Sequence, residues 1–175
     1  MTLVLREQEE QARQVGAVAF RGYIDLGTFF MSVVREVAEE VERHLGVRPE
    51  VQRVMCHLQG VVKGRCETEF GLTEETDVDR GLGQGDINAP NRSKNLMKLK
   101  QRAISGLVEG YQFWGREEGT AQVWFADDGA LMTDDWDMLQ LGFDVAWHVA
   151  RMCGNVIGIK EDGSKTAWQV VNGAE

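Results

Sequence analysis

The spacing of apolar positions changes between two periods along the chain, and each period predicts a different kind of element. Between Phe29 and Leu45 the apolar residues recur at helical spacing, which predicts one amphipathic helix that stops at Gly46. The same criteria predict three further helices: from Pro49 to about Leu58, from Arg92 to Val108, and from Trp136 to about Cys153 behind a cap at Asp134 or Asp135.

Strand-like stretches separate these helices. AVAFRGYIDL (residues 17–26) is typical of a strand, and residues 62–79 predict two short strands around a polar turn. QVWF and GALMT predict a hairpin around two aspartates, and NVIGIK and KTAWQVV predict a last hairpin around EDGS. Residues 1–16 are expected to form an N-terminal helix or arm, and residues 17–172 a single domain. The order of elements predicts an α+β fold of two layers, one sheet backed by helices.

The composition indicates a folded domain and excludes several classes of protein. The 175 residues are 43% hydrophobic, which is sufficient for a sizeable core. No apolar run approaches the roughly 20 residues that a bilayer span requires, so no membrane partner is expected. Charged residues begin at Arg6 and leave no apolar stretch for a signal peptide. Three cysteines without metal-ligand spacing indicate reduced thiols in an intracellular protein.

Charge is distributed unevenly along the chain. The formal net charge of -9 argues against a protein whose whole surface binds nucleic acid. Acidic residues cluster in residues 67–79 and 127–137, whereas the predicted third helix carries a local basic group. That group consists of Arg92, Lys94, Lys98, Lys100 and Arg102. The local pattern therefore decides whether nucleic acid is a partner.

Three aspartates form the strongest candidate site. Asp127 and Asp128 lie at the tip of the predicted hairpin, and Asp25 ends the strand YIDL. A solvated turn is the competing interpretation of the pair, because Asp side chains commonly bond their own backbone in turns. Convergence with Asp25 would be repulsive unless cations neutralised the cluster. Oxygen ligands select Mg²⁺ or Mn²⁺, and two such ions about 3.5–4 Å apart serve phosphoryl transfer.

Five motifs, in order along the chain, resemble those of a reverse transcriptase (RNA-directed DNA polymerase) palm of the non-LTR retroelement type. FADD (125–128) resembles the [YF]xDD motif, and YIDLGTFFMSV (23–33) resembles the first carboxylate motif. GLGQGDINAP (81–90) resembles the G-x-x-QG-x-x-x-x-P loop, and GLTEETDVDRGLGQG resembles the hairpin that leads into it. GNVIGIKEDGSKTAW (154–168) resembles the downstream GLKIN…KT motif. The resemblance implies a polymerase palm with an antiparallel, ferredoxin-like sheet.

The resemblance also implies a role for each matching carboxylate. Asp25 and Asp127 would be the obligatory metal ligands, Asp128 a supporting carboxylate, and the Leu26 carbonyl a further ligand. The implied cofactor is two Mg²⁺ ions, with Mn²⁺ as a substitute, which would activate the primer 3′-OH and neutralise the triphosphate. The implied partners are an RNA template, a DNA primer and a dNTP.

Further positions match the family's nucleotide-binding residues. Phe30 falls at the sugar gate, where a bulky ring would crowd a 2′-OH and favour deoxynucleotides; an ordinary core residue is the competing interpretation. Gln84 and Gly85 fall in the loop beside the incoming nucleotide, and an ordinary turn is their alternative. Lys165 matches the lysine of the KT motif, which would donate a proton to the leaving pyrophosphate.

Basic and aromatic residues outside these motifs have less specific interpretations. Three basic residues of the third helix would meet template phosphates, against the alternative of a solvated helix face: Arg92, Lys94 and Lys98. The helical stripe Trp136, Leu139, Phe143 and Trp147 predicts core positions, and Trp124 and Trp168 are expected to pack on the sheet.

The chain also departs from the family pattern. Met31 stands where many relatives have a second Asp, and about 24 residues before Asp25 are too few for fingers. We therefore expect a palm without fingers or thumb, a fragment of a retroelement protein. Two hypotheses follow: a palm that catalyses two-metal nucleotidyl transfer to a primer 3′-OH, or a catalytically silent remnant that acts as an interaction domain. An RNA-dependent RNA polymerase is a third class, which Phe30 and Ala126 disfavour.

Overall fold

The chain folds around one antiparallel sheet whose central strand carries Asp25. The structure is a computed structural model that describes residues 1–27, 29–60, 62–83, 87–125, 127–158 and 166–172. Its helices are α1 (Thr2–Val15), α2 (Phe29–Ser32), α3 (Arg35–His44), α4 (Pro49–Gly60), α5 (Ala89–Ser105) and α6 (Trp136–Met152). Its strands are β1 (Ala19–Gly27), β2 (Lys63–Gly64), β3 (Glu67–Thr68), β4 (Gly71–Leu72), β5 (Thr76–Asp77), β6 (Gln122–Phe125), β7 (Asp128–Thr133), β8 (Val156–Ile157) and β9 (Ala167–Val171).

The main sheet has the order β6-β7-β1-β8, and β9 also pairs with β1. All of these pairs are antiparallel. β8 pairs with the end of β1 at Leu26 and Gly27, and β9 pairs with its beginning, from Ala19 to Tyr23. Among the described residues, β8 and β9 pair with β1 and not with each other, so the predicted pairing of the last hairpin is wrong there. The predicted turn EDGS lies outside the described residues. The short strands pair separately, β2 with β5 and β3 with β4.

The two faces of β1 have different surroundings. On one face, Ile24 and Leu26 are buried in a core with Leu139 of α6 and Ile104 of α5. This is the helix-backed face, as the α+β prediction required, and the prediction of an antiparallel sheet backed by helices is confirmed.

The opposite face of β1 is covered by α1 only near the start of the strand. There the buried Arg21 donates from Nε to Gln8 Oε1 at 2.7 Å and bonds the Leu5 carbonyl. Alternation along the strand puts Tyr23 and Asp25 on this same face. Both are only half-buried, so the end of β1 that carries Asp25 is partly open to solvent.

The predicted helix from Phe29 to Leu45 is divided into α2 and α3. At the break, the Val34 amide donates to the Cys153 carbonyl at 2.9 Å, and the Val33 carbonyl accepts from the Gly81 amide at 2.8 Å. These backbone groups bond to distant segments instead of to a continuous helix. Two β-branched residues in succession also weaken the helix at this point.

The four residues of the predicted core stripe of α6 differ in their burial. Leu139 is buried and Phe143 is half-buried, but Trp136 and Trp147 are exposed, so the core prediction for these two tryptophans is wrong. Trp168, at 57% exposure, lies edge-to-face with Trp136 at 5.1 Å between ring centroids. α6 begins behind Asp135, whose side chain accepts from the Met138 amide at 2.9 Å. No helix in the described part of the chain is long and apolar enough to cross a membrane.

Candidate functional site

Register between two strands brings two of the predicted carboxylates together. β1 and β7 pair so that Asp25 lies directly opposite Asp128. Residues opposite each other in an antiparallel pair project their side chains to the same face, with Cβ atoms roughly 4.5–5.5 Å apart. Two aspartates therefore share the open face of the sheet, where like charges destabilise the pairing unless a cation offsets them.

Asp127 lies one residue before this pair, in the turn of the β6–β7 hairpin. Phe125 and Asp128 are opposite each other, and Asp127 lies in the turn that joins the two strands. Asp127 is half-buried and Asp128 is exposed, and neither carboxylate has a described hydrogen bond or ion-pair partner. Both carboxylates are therefore available as oxygen ligands for a cation.

The donor chemistry of these side chains fits a hard divalent cation. Carboxylate oxygens are the ligands that Mg²⁺ and Mn²⁺ prefer. Among the residues that the structure describes, no group of three or more His, Cys, Asp or Glu is arranged to hold one ion. The described geometry thus supports a pair of carboxylates, Asp25 and Asp128, with Asp127 adjacent in the turn.

The backbone of Asp25 is held by the strand edge opposite β7. The Gly158 amide donates to the Asp25 carbonyl at 2.9 Å, and the Asp25 amide donates to Thr166 Oγ1 at 3.2 Å. Asp25 thus pairs with β7 on one side, and its backbone is bonded by Gly158 and Thr166 on the other. Leu26, the predicted carbonyl ligand, has its side chain buried in the core and pairs with Ile157.

The hairpin that carries the aspartates rests on a tryptophan. Trp124 and Gly129 are opposite each other in the β6–β7 register. A Cβ added at Gly129 would lie 2.5 Å from the Trp124 ring, closer than any real contact. The glycine after the aspartate pair therefore makes room for Trp124, which packs against the helix-backed core. Through this packing, Trp124 attaches the hairpin to the core that α5 helps to form.

A cleft of about 500 Å³ lies beside the hairpin, between α5 and β6. Phe30, Trp124 and Phe125 form aromatic walls of the cleft, and Lys94 and Lys98 lie along its α5 side. Phe30 is half-buried, lies edge-to-face with Phe29 at 5.3 Å between ring centroids, and also packs against the core. Phe30 therefore borders both the core and the cleft. Its position is compatible with an ordinary core residue and with a sugar gate.

Arg92 does not lie in this cleft. It is fully buried, and its guanidinium forms an ion pair with Glu42 at 2.7 Å and bonds the Gln59 side chain. Gln59 in turn donates to the Leu82 carbonyl at 3.4 Å. The prediction that Arg92 meets template phosphates is wrong, because its charge is already compensated inside the protein. Arg92 instead joins α5 to α3 and α4.

Lys100 is a buried residue that the sequence reasoning placed only in the basic group. Its Nζ donates to Asn155 Oδ1 at 3.0 Å and lies 4.9 Å from the centroid of the Phe29 ring. Burial lowers the pKa of Lys100 to about 8, an effect that the nearby Cys153 partly opposes. The burial of Lys100 could have been predicted from helical spacing, because Arg92, Leu96 and Lys100 recur at intervals of four. Lys94 and Lys98 lie on the opposite face of the helix.

Three predicted nucleotide-binding residues lie outside the described residues: Gln84, Gly85 and Lys165. Their roles stay predictions. Leu82, a described residue of this loop, donates from its amide to the Phe30 carbonyl at 2.7 Å. The segment that leads into the loop is therefore attached to the backbone of α2.

Comparison with solved structures identifies the fold. The telomerase from Candida tropicalis in complex with a TWJ fragment of telomeric RNA has a TM-score of 0.67 and 12% identity, covering 97% of this chain and 28% of that one. The Candida albicans telomerase in complex with a TWJ fragment gives 0.65 and 11%, covering 97% and 29%. The apo Candida tropicalis telomerase truncated from its C-terminal domain gives 0.61 and 14%, covering 93% and 35%.

These likenesses show a reverse-transcriptase-like fold. No protein-family model matches the chain, and no curated protein matches it. The chain spans about a third or less of the length of the telomerases that it resembles. Similarity at this level of identity concerns the fold alone.

Proposed function

We propose that this chain is the palm of an RNA-directed DNA polymerase that transfers a nucleotide from a dNTP to a primer 3′-OH. The observation that carries the proposal is the register of β1 and β7, in which Asp25 and Asp128 are opposite each other beside the turn that holds Asp127. A reverse-transcriptase-like fold with aspartates on the open face of the sheet favours nucleotidyl transfer over other chemistry. The non-LTR retroelement type is the finer part of the proposal, and it rests on the sequence motifs.

The cleft beside the hairpin supports the same proposal. Its walls combine aromatic rings with two exposed lysines on one helix face, Lys94 and Lys98. Aromatic faces stack on bases, and lysines neutralise phosphates, so the cleft suits a nucleotide or a template base with its phosphate. In this proposal Phe30 stands against the sugar and excludes a 2′-OH.

Asp25, Asp127 and Asp128 would hold the divalent cations. When bound, two Mg²⁺ ions supply a lowered pKa for the attacking hydroxyl and charge stabilisation on the triphosphate and the leaving pyrophosphate. Asp25 and Asp128 would present their oxygens on one face of the sheet, and β7, Gly158 and Thr166 hold the Asp25 backbone. Lys165 is proposed as the proton donor to pyrophosphate, from the KT motif alone.

An RNA template, a DNA primer and a dNTP are the proposed partners. Two of the similar telomerases were solved in complex with telomeric RNA, which is consistent with an RNA partner for this fold. Residues 17–172 are the proposed palm, and α1 is an N-terminal helix that covers the start of β1.

Primer extension tests the proposal directly. The purified chain is supplied with an RNA template, an annealed DNA primer, dNTPs and either Mg²⁺ or Mn²⁺, and product is compared with that of Asp25→Asn. We expect metal-dependent extension by the wild-type chain and at least about a hundredfold less by the variant, since removal of a metal ligand costs several kcal/mol of transition-state stabilisation.

Equal product from the wild-type chain and Asp25→Asn would overturn the polymerase proposal and leave the silent interaction domain. Far-ultraviolet circular dichroism and a urea unfolding curve of both proteins serve as controls for folding. Templates of RNA and DNA with the same sequence, and dNTP against rNTP pools, separate an RNA-directed DNA polymerase from an RNA-dependent RNA polymerase.

A further inference from the structure

One short segment follows the backbone of the turn after Asp25. At its start, the Cys153 carbonyl accepts from the Val34 amide at 2.9 Å, and at its end the Gly158 amide donates to the Asp25 carbonyl at 2.9 Å. Between these points Val156 pairs with Gly27. Residues 153–158 therefore contact Asp25, Gly27 and α2, the helix that carries Phe30.

Gly154 allows this close approach. Its φ of 81° is in the left-handed region, and a Cβ there would lie 2.5 Å from the Ser32 carbonyl oxygen. No other residue fits without displacing α2. The two backbones are in direct contact at this position, so a change in the segment is transmitted to α2.

The side chain of Asn155 is the polar connection between the two segments. Asn155 is 1% exposed. Its Nδ2 donates to the Phe29 carbonyl at 3.2 Å and to Ser32 Oγ at 3.0 Å. Its Oδ1 accepts from Lys100 Nζ at 3.0 Å. An ammonium group can only donate, so Lys100 fixes which end of the amide faces α2. Every donor of this buried amide is then used to hold the turn.

The connection continues to the cleft through the two phenylalanines. Lys100 Nζ lies 4.9 Å from the centroid of the Phe29 ring, and Phe29 is in edge-to-face contact with Phe30. The Phe30 carbonyl is bonded by the Leu82 amide at 2.7 Å. Asn155 and Lys100 thus contact Phe29, the residue before Phe30.

We propose that Asn155 is a positioning residue that sets the location of Phe30 in the cleft, and thereby the discrimination between deoxyribonucleotides and ribonucleotides. The positioning part rests on the contacts of the buried amide, and the discrimination part rests on the proposed polymerase function. Asn155 itself does not line the cleft.

Asn155→Asp tests the proposal with little change in volume. A carboxylate still accepts from Lys100, now as an ion pair, but it cannot donate to the Phe29 carbonyl or to Ser32. The chain offers a matched control in Gln8, a buried amide that accepts from Arg21 Nε at 2.7 Å and donates to the Phe20 carbonyl at 3.4 Å. Gln8→Glu makes the same chemical change beside a cation, on the buried face of α1.

The first measurement is hydrogen–deuterium exchange, which needs no activity. We expect the amides of Val34 and Leu82, which bond the Cys153 and Phe30 carbonyls, to exchange about tenfold faster in Asn155→Asp. In Gln8→Glu they should exchange as in the wild-type chain. Unchanged exchange at these amides in Asn155→Asp would overturn the positioning role.

The second measurement is the ratio of kcat/KM for dATP and rATP in primer extension. We expect Asn155→Asp to lower the preference for dATP about tenfold, mainly through a lower KM for rATP, and Gln8→Glu to leave it unchanged. Faster exchange with an unchanged ratio would overturn the discrimination role alone. Faster exchange with no extension by any of the proteins would overturn the polymerase proposal and leave the positioning role supported.

Discussion

Asp25 and Asp128 face each other directly across the antiparallel pair of β1 and β7. An antiparallel sheet usually avoids like charges at opposite positions, because they destabilise the pair. Here the pair lies at the end of β1, between the turn with Asp127 and the edge strand that holds the Asp25 backbone. The arrangement keeps negative charge on the open face of the sheet at the cost of local stability.

The three aspartates differ in burial, and this difference predicts unequal effects of substitution. Asp127 is half-buried whereas Asp128 is exposed, so Asp127→Asn changes the less mobile of the two proposed metal ligands. We expect Asp127→Asn to lower primer extension by at least about a hundredfold and Asp128→Asn by about tenfold, as expected from losing several kcal/mol against roughly one. Equal losses in the two variants would contradict this division of roles.

Gly129 is expected to be intolerant of a side chain. Gly129→Ala puts a methyl group against the Trp124 ring, and overpacking of this kind costs about 1–3 kcal/mol in the free energy of unfolding. Gly60→Ala is the control, because a Cβ at Gly60 meets nothing within 4 Å. Urea unfolding measures both variants. In a double-mutant cycle, Gly129→Ala should cost less in a Trp124→Leu background than in the wild-type chain, and an equal cost in both would show that Trp124 is not the cause.

The buried ion pair of Arg92 predicts a large effect on stability. Arg92→Leu leaves Glu42 buried without its cation, which costs about 3–5 kcal/mol in the free energy of unfolding. Removing both charges in Arg92→Met, Glu42→Leu should restore most of this loss, since the isolated charge is the expensive state. Arg53→Met, at an exposed position of α4, should be nearly neutral. A double variant as unstable as Arg92→Leu would contradict the explanation.

Helix α5, which carries Arg92 and Lys100, shows how much of this structure can be predicted from the sequence. The hydrophobic period predicted the helix-backed sheet, which is confirmed, because this period depends on local spacing. The ordered motifs selected Asp25, Asp127 and Asp128 as candidate site residues, and their roles stay predictions. The roles of α5's basic residues depend on which face of the helix is buried. Arg92 and Lys100 share the phase of Leu96, so their burial was readable from the sequence, but their partners were not. Glu42 and Asn155 are 50 and 55 residues away from Arg92 and Lys100.

Pairing of the last strands was predicted less well for a related reason. A hairpin is the default expectation for two neighbouring strand-like stretches, because short connections usually join antiparallel partners. β8 and β9 instead both pair with β1, and nothing in their own residues indicates this partner. The break between α2 and α3 likewise depends on bonds from Val33 and Val34 to distant segments.

Lys94 and Lys98 predict the salt dependence of RNA binding. Both are exposed on the cleft side of α5, so each should release condensed counterions when it meets a phosphate. We expect Lys94→Gln and Lys98→Gln each to reduce the slope of log affinity against log salt by about 0.7 for single-stranded RNA. Fluorescence anisotropy with a labelled RNA measures the slope. Lys63→Gln, an exposed control paired with Glu75, should leave it unchanged, and equal slopes in all four proteins would exclude phosphate contacts in the cleft.

Stability should depend on pH through Lys100. Burial lowers the pKa of Lys100 in the folded chain from 10.5 to about 8. Between these values the unfolded chain binds more protons than the folded chain, so the free energy of unfolding rises with pH. We expect a rise of about 1 kcal/mol from pH 7 to pH 9 relative to Lys100→Met. Cys153 faces Lys100, and burial raises the pKa of this thiol, so both proteins should also carry Cys153→Ala. Urea unfolding at both pH values measures the difference, and parallel pH dependence of the two proteins would refute a buried, partly neutralised Lys100.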